Sequence, residues 1–137
     1  MREIKFRVWD TEYKQYSNWT NRDPSMNFSS GHIFYWERNY DQETGKYTED
    51  TKHQDVCGRF LLEQYTGLQD KNGVEIYEGD IFEGSRNKWG AVEFKDGKFV
   101  VNLRGARLYD LCELFDDPWY RPEVIGNIHE NPELLEK

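Results

Sequence analysis

YTGLQDKNGVEIYEGDIF, residues 65–82, contains two strand-like segments around a sharp turn, followed by a Gly-Asp step into a third strand. The dipeptide Asn72-Gly73 is a strong hairpin signal, because both central positions of a type I′ turn need positive φ. We therefore predict that Asp70 to Gly73 reverses the chain and that the Gly-Asp step returns it to the sheet. The mixture of aromatic, acidic and glycine residues in residues 65–82 would suit either a ligand-binding loop or a purely architectural hairpin.

A second hairpin is predicted in AVEFKDGKFVVNL, residues 91–103. If Asp96-Gly97 forms a two-residue turn, the register of the two strands follows directly. The predicted cross-strand pairs are Lys95 with Lys98, Phe94 with Phe99, and Val92 with Val101. This register places both phenylalanine rings against each other on one apolar face, and we expect both rings to be buried.

Short strands are also predicted in the rest of the chain. Residues 3–9 alternate between apolar and polar positions, which is typical of a half-buried strand. A return strand is expected at Tyr16 to Trp19, and further strands are predicted at residues 32–38, 59–67 and 123–130.

The remaining segments carry loop or helix signals. Residues 20–31 are rich in turn formers and predict irregular structure, whereas the polar residues 39–55 predict an exposed loop or hairpin tip. Residues 108–115 have apolar side chains at helical spacing, which favours a short helix or turn. In NPELLEK, Asn131 can cap and Pro132 can take the first helical position of a final helical turn.

Length and composition indicate one mainly β domain. The 137 residues suit a single domain spanning residues 1–137, with its core mainly in residues 58–130 plus the strand at 3–9. Five Trp, nine Tyr and eight Phe favour β structure, because large rings pack well on a pleated surface. Short strands with close turn signals predict a small antiparallel barrel or sandwich with long polar loops.

The formal net charge of −8 and the scattered basic residues argue against direct nucleic-acid binding. Proteins that bind nucleic acid usually carry a basic stripe, because phosphate contacts supply most of the non-specific affinity. An acidic surface instead fits a protein that avoids membranes or that has a basic partner.

Cysteine and histidine usage predicts no metal, cofactor or disulfide site. Cys57 and Cys112 are far apart in the chain, and neither belongs to a CxxC pair. The three histidines (His32, His53 and His129) lack the spacing of a zinc site. The N-terminus has no apolar segment like that of a signal peptide, and no apolar run reaches membrane-spanning length. We therefore expect a cytoplasmic protein with reduced thiols.

The acidic residues Glu75, Glu78, Asp80 and Glu83 cluster near the first hairpin. Paired carboxylates can perform acid–base catalysis if burial moves their pKa values apart. In so acidic a chain such a cluster is expected by chance, and no nucleophile–base pair accompanies it. We predict instead that Asp80 accepts hydrogen bonds from neighbouring backbone N–H groups, and we predict no catalytic residues.

Four aromatic residues form a candidate binding surface, although packing in the core or at its edge is the favoured interpretation. They are Tyr65, Tyr77, Trp89 and Trp119. Small β-barrels often use such residues to bind ligands.

The segments IKFRVWD, YTGLQDKNGVEIYEGDIF, WGAVEFKDGKFVV and EVIGNIHENPELL together resemble the YopX family of small bacteriophage and prophage proteins, found mainly in Gram-positive bacteria. The resemblance implies a β-rich fold with an SH3-like barrel, a phage or prophage source and a bacterial cytoplasmic location. It implies no activity and no catalytic residues. We recognise no motif in residues 17–55, so the resemblance rests on the other segments.

Three functions remain open, and a non-enzymatic module that binds a host or phage protein, preferably a basic one, ranks first. A variant of this hypothesis is that the acidic protein mimics DNA. Single-stranded nucleic-acid binding through aromatic stacking ranks second, and a hydrolase that uses Asp80 with a neighbouring carboxylate ranks third. Self-association is expected if apolar strand faces stay exposed.

Overall fold

In the computed structural model, residues 3–17, 24–84, 88–103 and 108–136 are described. These residues are mainly in β-strands, so the prediction of a mainly β protein is confirmed. The chain divides into two compact units: a larger unit, Met1–Arg7 with Glu63–Lys137, and a smaller unit, Val8–Leu62.

Within the described residues, the secondary structure consists of short strands, one six-residue α-helix and a 3₁₀ helix. The strands are β1 (Phe6–Asp10), β2 (Gln15–Tyr16), β3 (Ser25–Met26), β4 (Ile33–Glu37), β5 (Tyr40–Asp41), β6 (Lys46–Tyr47), β7 (Thr51–Gln54), β8 (Phe60–Gln69), β9 (Glu75–Tyr77), β10 (Asp80–Gly84), β11 (Lys88–Lys95), β12 (Lys98–Asn102), β13 (Leu108–Asp110) and β14 (Glu123–Asn127); the helices are α1 (Leu111–Asp116) and the 3₁₀ helix Pro132–Leu135.

The larger unit contains an antiparallel five-stranded sheet in the order β13-β12-β11-β10-β14. The register predicted for the hairpin β11–β12 is confirmed in every pair, including Phe94 with Phe99. Its turn residues Asp96 and Gly97 have φ of 53° and 79°, as a type I′ turn requires. The Asp-Gly dipeptide therefore fixes this register.

The core of the larger unit lies on one face of this sheet. Phe82 and Ile76 are completely buried there, and Leu111 of α1 packs into the same cluster. The other members of the buried cluster are Val92, Val101, Leu103 and Leu114. Apolar residues of the strands and the helix thus share one hydrophobic interior. Burial of their apolar surface is the dominant favourable contribution to folding.

The turn between β8 and β9 forms as predicted, but its type is not I′. Gly73 has φ of +81°, whereas Asn72 is not among the described residues with positive φ. The N–H of Gly73 donates to the carbonyl of Asp70 (3.0 Å), and the N–H of Asp70 donates to the carbonyl of Val74 (2.8 Å). Lys71 and Asn72 are therefore the central residues, and only the glycine takes the left-handed conformation.

The Asp70 carboxylate explains this turn. Its Oδ1 accepts hydrogen bonds from the N–H groups of Asn72 (2.8 Å) and Val74 (2.9 Å). Its Oδ2 accepts from the N–H of Val124 in β14 (2.9 Å). Burial raises the pKa of Asp70, but these three hydrogen bonds outweigh burial, so the pKa lies below its ordinary value of 3.8. One side chain thus holds the turn and joins it to β14.

Replacing Asp70 by Asn should lower the free energy of unfolding at pH 7 by about 1.5–3 kcal/mol, because the neutral amide cannot accept all three hydrogen bonds. A carboxylate with a depressed folded-state pKa contributes stability above its unfolded pKa, and that stability is lost as pH falls through the folded value. The difference between wild type and Asp70→Asn should therefore shrink below pH 3.8. Urea unfolding at pH 7 and pH 3 measures it; Asp96→Asn is the control, and a difference independent of pH would contradict the prediction.

The C-terminal elements agree in part with the predictions made from the sequence. Residues 108–115 begin as β13 and continue as α1, in which Leu111 and Leu114 are buried and Cys112 is exposed. Pro132 does occupy the start of the 3₁₀ helix, but the Asn131 side chain makes no capping hydrogen bond. Its Oδ1 instead accepts from the N–H of Asn127 (3.3 Å), so the predicted cap is wrong.

The smaller unit contains the three-stranded sheet β3-β4-β7 and the hairpin β5–β6, and β1 pairs there with β2. The prediction of irregular structure over residues 20–31 is wrong at Ser25–Met26, which pairs with β4. The residues at 18–19 expected in a return strand lie outside the described residues.

Arg59 forms an ion pair inside this unit. Its guanidinium binds both oxygens of the buried Asp10 carboxylate, at 3.0 and 2.9 Å.

Candidate functional site

The four aromatic residues predicted as a binding surface lie at three positions in the larger unit. Tyr65 is 5% exposed, and its ring centroid lies 5.4 Å from that of Tyr77. Trp89 lines a small pocket with Ile125 and with the residues Glu83 and Leu134. Trp119 is 82% exposed in the turn after α1. The structure thus brings the two tyrosines together, and a binding role for the whole set stays a prediction.

A buried ionic network lies beside the two tyrosines. The Arg7 guanidinium contacts Glu63 (3.3 Å) and Asp80 (2.8 Å), and it donates a hydrogen bond to the carbonyl of Glu78 (3.0 Å). Its Cζ lies 4.9 Å from the ring centroid of Tyr77. Both carboxylate side chains are almost inaccessible to water. A cation in this position offsets two buried negative charges.

Asp80 belongs to the framework, as the sequence predicted. Its Oδ2 accepts a hydrogen bond from the N–H of Tyr77 at 2.8 Å. Burial raises the pKa of Asp80, and the charge of Arg7 offsets only part of this effect. The pKa of Glu78 is also raised by burial, while its carboxylate accepts from the N–H of Gln64 (3.0 Å). These acids hold backbone and Arg7 in place, so residues 65–82 act chiefly as architecture.

No group of three or more His, Cys, Asp or Glu side chains in the described part of the chain is arranged to hold a metal ion. Cys57 and Cys112 are both free and exposed. No helix within the described ranges is long and apolar enough to cross a membrane.

The larger unit contains a cleft of about 570 Å³, here called the Phe94 cleft. Alternate residues of β8 form one wall, and the hairpin β11–β12 with the start of α1 forms the other. Its lining residues are Gln64, Thr66, Leu68, Phe94, Gly97, Lys98, Phe99, Asp110, Leu111 and Cys112.

Phe94 is the prominent apolar group of this cleft. It is 53% exposed, and its ring packs edge-on against Phe99 at a centroid distance of 5.1 Å. The predicted pairing is right. The prediction that both rings are buried is wrong for Phe94 and holds only in part for Phe99, which is half-buried against the core. The reason is position: Phe94 lies two residues before the turn, where the hairpin extends beyond the residues that cover the core.

Polar groups at the rim of the Phe94 cleft are held by local contacts. Oδ1 of Asp110 accepts from the N–H of Cys112 (3.0 Å) and so caps α1, while Oδ2 lies 3.4 Å from Nζ of Lys98. The Thr66 hydroxyl donates to the carbonyl of Ile76 (2.7 Å). The cleft therefore has a fixed rim and an exposed aromatic ring, which is a suitable arrangement for binding an extended chain.

Comparison with known proteins agrees with this fold. The family model described as YopX protein matches residues 5–136. The crystal structure of protein EF1440 from Enterococcus faecalis is 30% identical, with a TM-score of 0.60, and the match covers 98% of this chain and 99% of that one. The crystal structure of protein yopX from Bacillus subtilis is 23% identical, with a TM-score of 0.61, over 100% of this chain and 98% of that one. No curated protein matches the chain.

The fold is thus that of a small, mainly β protein. The chain belongs to the YopX family, because the family model spans nearly its whole length.

Proposed function

We propose that the protein is a non-enzymatic module that binds another protein, and that the Phe94 cleft is the binding site. The observation that carries this proposal is the exposure of Phe94, which is 53% exposed while the rest of its hairpin face contributes to the core. A half-exposed aromatic ring at the mouth of a cleft becomes buried when a partner docks. Aromatic side chains contribute much of the binding energy at many protein interfaces.

The shape of the cleft favours an extended segment of the partner. Gln64, Thr66 and Leu68 line it from alternate positions of one strand, and they span roughly 13 Å at about 3.3 Å per residue. An extended peptide has the same rise and presents alternate side chains to one wall. The partner would therefore place one apolar side chain against Phe94 and run along β8.

Charge favours a basic partner. Lys98 opposes Asp110 at the rim, so the preference comes from the whole chain, whose net charge is −8. The electric field of this negative net charge steers a positively charged partner toward the protein and raises the association rate. We place this interaction in the cytoplasm of a bacterial host, with a host or phage protein as partner, in keeping with the resemblance to phage and prophage proteins.

The contacts of Asp80 support a function without catalysis. Its side chain is 5% exposed, and both carboxylate oxygens are engaged, one by Arg7 and one by the N–H of Tyr77. A general acid or base must reach a proton of a bound substrate. Asp80 serves the sheet instead, so the hydrolase hypothesis has no support from its surroundings.

The two exposed thiols allow a matched test of this proposal. A photo-crosslinker on Cys112, which lines the cleft, should capture the partner from a Gram-positive host lysate treated with nuclease. The same reagent on Cys57 is the control, each thiol being labelled in a variant whose other cysteine is serine. Phe94→Ser should lower capture at least tenfold, whereas Phe28→Ser, which alters another exposed phenylalanine, should not. Equal capture from both thiols, or capture unaffected by Phe94→Ser, would refute the assignment.

A further inference from the structure

The smaller unit carries two aromatic rings on one face of its three-stranded sheet. Phe34 and Trp36 occupy alternate positions of β4, the central strand of the order β3-β4-β7. Alternate residues of a strand lie on the same face, roughly 6.6 Å apart. Trp36 is 40% exposed and Phe34 is half-buried.

The opposite face of β4 packs inside the unit. Tyr35 points to that face, where its ring stacks on His53 at a centroid distance of 5.4 Å and contacts Phe60 at 5.3 Å. The strand therefore has one packed face and one face that presents rings to solvent.

A lysine completes the open face. Lys52 of β7 pairs with Trp36 across the sheet, and its Nζ lies 4.8 Å from the ring centroid of Phe34 and 5.7 Å from that of Trp36. Among the described residues, no carboxylate lies within ion-pair distance of this ammonium, and Lys52 has no further electrostatic contact. In a chain of net charge −8, this is a local cationic position next to two rings.

We propose that Phe34, Trp36 and Lys52 form a binding surface for single-stranded nucleic acid. Two successive bases stack on the two rings, and the lysine contacts the phosphate between them. Stacking on aromatic side chains together with cationic contacts to the backbone is how proteins bind single strands without reading sequence. The rings are available because an exposed cation–π contact is weaker than the stacking of a base, so a base displaces the flexible ammonium.

The charge and shape of the surface select this occupant. The Lys52 ammonium, which contacts the two rings but no carboxylate among the described residues, favours an anionic ligand. The flat rings at the spacing of alternate strand residues favour planar groups in succession. A single strand supplies both from each nucleotide. This inference is independent of the Phe94 cleft, because it uses other residues and a ligand of opposite charge.

The first test is fluorescence anisotropy at low salt with labelled single strands, oligo(dT) and oligo(U), each ~12 nucleotides long. The intact protein should bind, and Trp36→Ala and Phe34→Ala should each weaken binding by about 5- to 150-fold. Trp36→Phe should retain binding, because it keeps a ring for stacking. Tyr47→Ala, which removes an exposed aromatic ring from β6, should bind as the wild type does.

The salt dependence tests the role of Lys52. If Lys52 contacts one phosphate, Lys52→Gln should reduce the slope of log K against log salt concentration by ~0.7. Lys46→Gln removes the same charge from an exposed position of β6 and should leave the slope unchanged. A fall in tryptophan fluorescence on binding, smaller in Trp36→Phe, should accompany the complex.

Three results would overturn the proposal: no binding by the intact protein at low salt, equal binding by Trp36→Ala and Trp36→Phe, or equal salt slopes for the two lysine variants. Binding of an acidic aromatic peptide but of neither oligonucleotide would assign the surface to a protein partner instead. Circular dichroism of each variant distinguishes a lost site from a lost fold, and the pair Trp36→Ala and Trp36→Phe decides the question even if Phe34→Ala does not fold.

Discussion

Replacing Arg7 by Met should lower the free energy of unfolding by about 3–5 kcal/mol at pH 7, because it leaves a buried carboxylate without its cation. Asp80 lies 2.8 Å from the guanidinium and would lose this cation. Glu63 lies 3.3 Å from it and would keep its contact with Nε2 of His129 (3.5 Å). Urea unfolding followed by tryptophan fluorescence gives the value. Lys5→Met is the matched control on the same segment, because Lys5 pairs with Glu3 and Glu75 at the surface. It should lower the free energy of unfolding far less than Arg7→Met does.

The pH dependence of the Arg7 variant should identify the cause. Burial already raises the pKa of Asp80 above 3.8, and removing Arg7 raises it further. An acid whose folded-state pKa exceeds its unfolded value binds more protons when folded, so stability rises as pH falls through that raised pKa. Arg7→Met should therefore recover part of its lost stability as the pH falls from 7 toward 3.8, the ordinary pKa of an Asp carboxyl. A loss that stays constant over this range would show that packing of the arginine, not its charge, is responsible.

Replacing Phe82 by Ala should lower the free energy of unfolding by about 3–5 kcal/mol. Phe82 is completely buried, and its ring packs edge-on against Phe115 and Tyr120 at centroid distances of 6.2 and 6.3 Å. The substitution removes these contacts and leaves a cavity in the middle of β10. Thermal or urea unfolding measures the change.

Phe94→Ala is the comparison for Phe82→Ala, because the residue type is the same and the surroundings are opposite. Phe94 loses mainly its contact with Phe99, and the cost should be about 0.5–1.5 kcal/mol. A Phe94 variant as unstable as the Phe82 variant would place Phe94 in the core and remove the basis of the Phe94 cleft as a binding site.

Local signals in the sequence were sufficient to predict the strand register where a single turn determines it. Asp96-Gly97 predicts the type I′ turn and every cross-strand pair of the hairpin β11–β12. Asn72-Gly73 predicts a reversal correctly and the turn type wrongly. The difference is the Asp70 carboxylate, which bonds to Val124 far along the chain, and no local propensity contains that contact.

The candidate sites could be predicted only in part, for a similar reason. The role of Asp80 follows from its position after Gly79, and the structure confirms it. Arg7 and Glu63 meet through strands distant in sequence, so their pairing leaves no spacing signal. The exposure of Phe94 depends on how far its hairpin extends beyond the core, whereas alternation specifies only which face a residue occupies.

The pairing of β14 with β10 has a consequence for biosynthesis. Strand β10 can pair with β11 as soon as both strands have left the ribosome, but its other edge stays open until residues 123–127 have been synthesised. During that interval the backbone N–H and C=O groups of β10, whose Ile81 and Phe82 are apolar, can pair with another nascent chain. Strand β14, which is synthesised well after β10, is thus the strand that covers this open edge of β10. Translation speed between the two strands should influence the yield of folded protein.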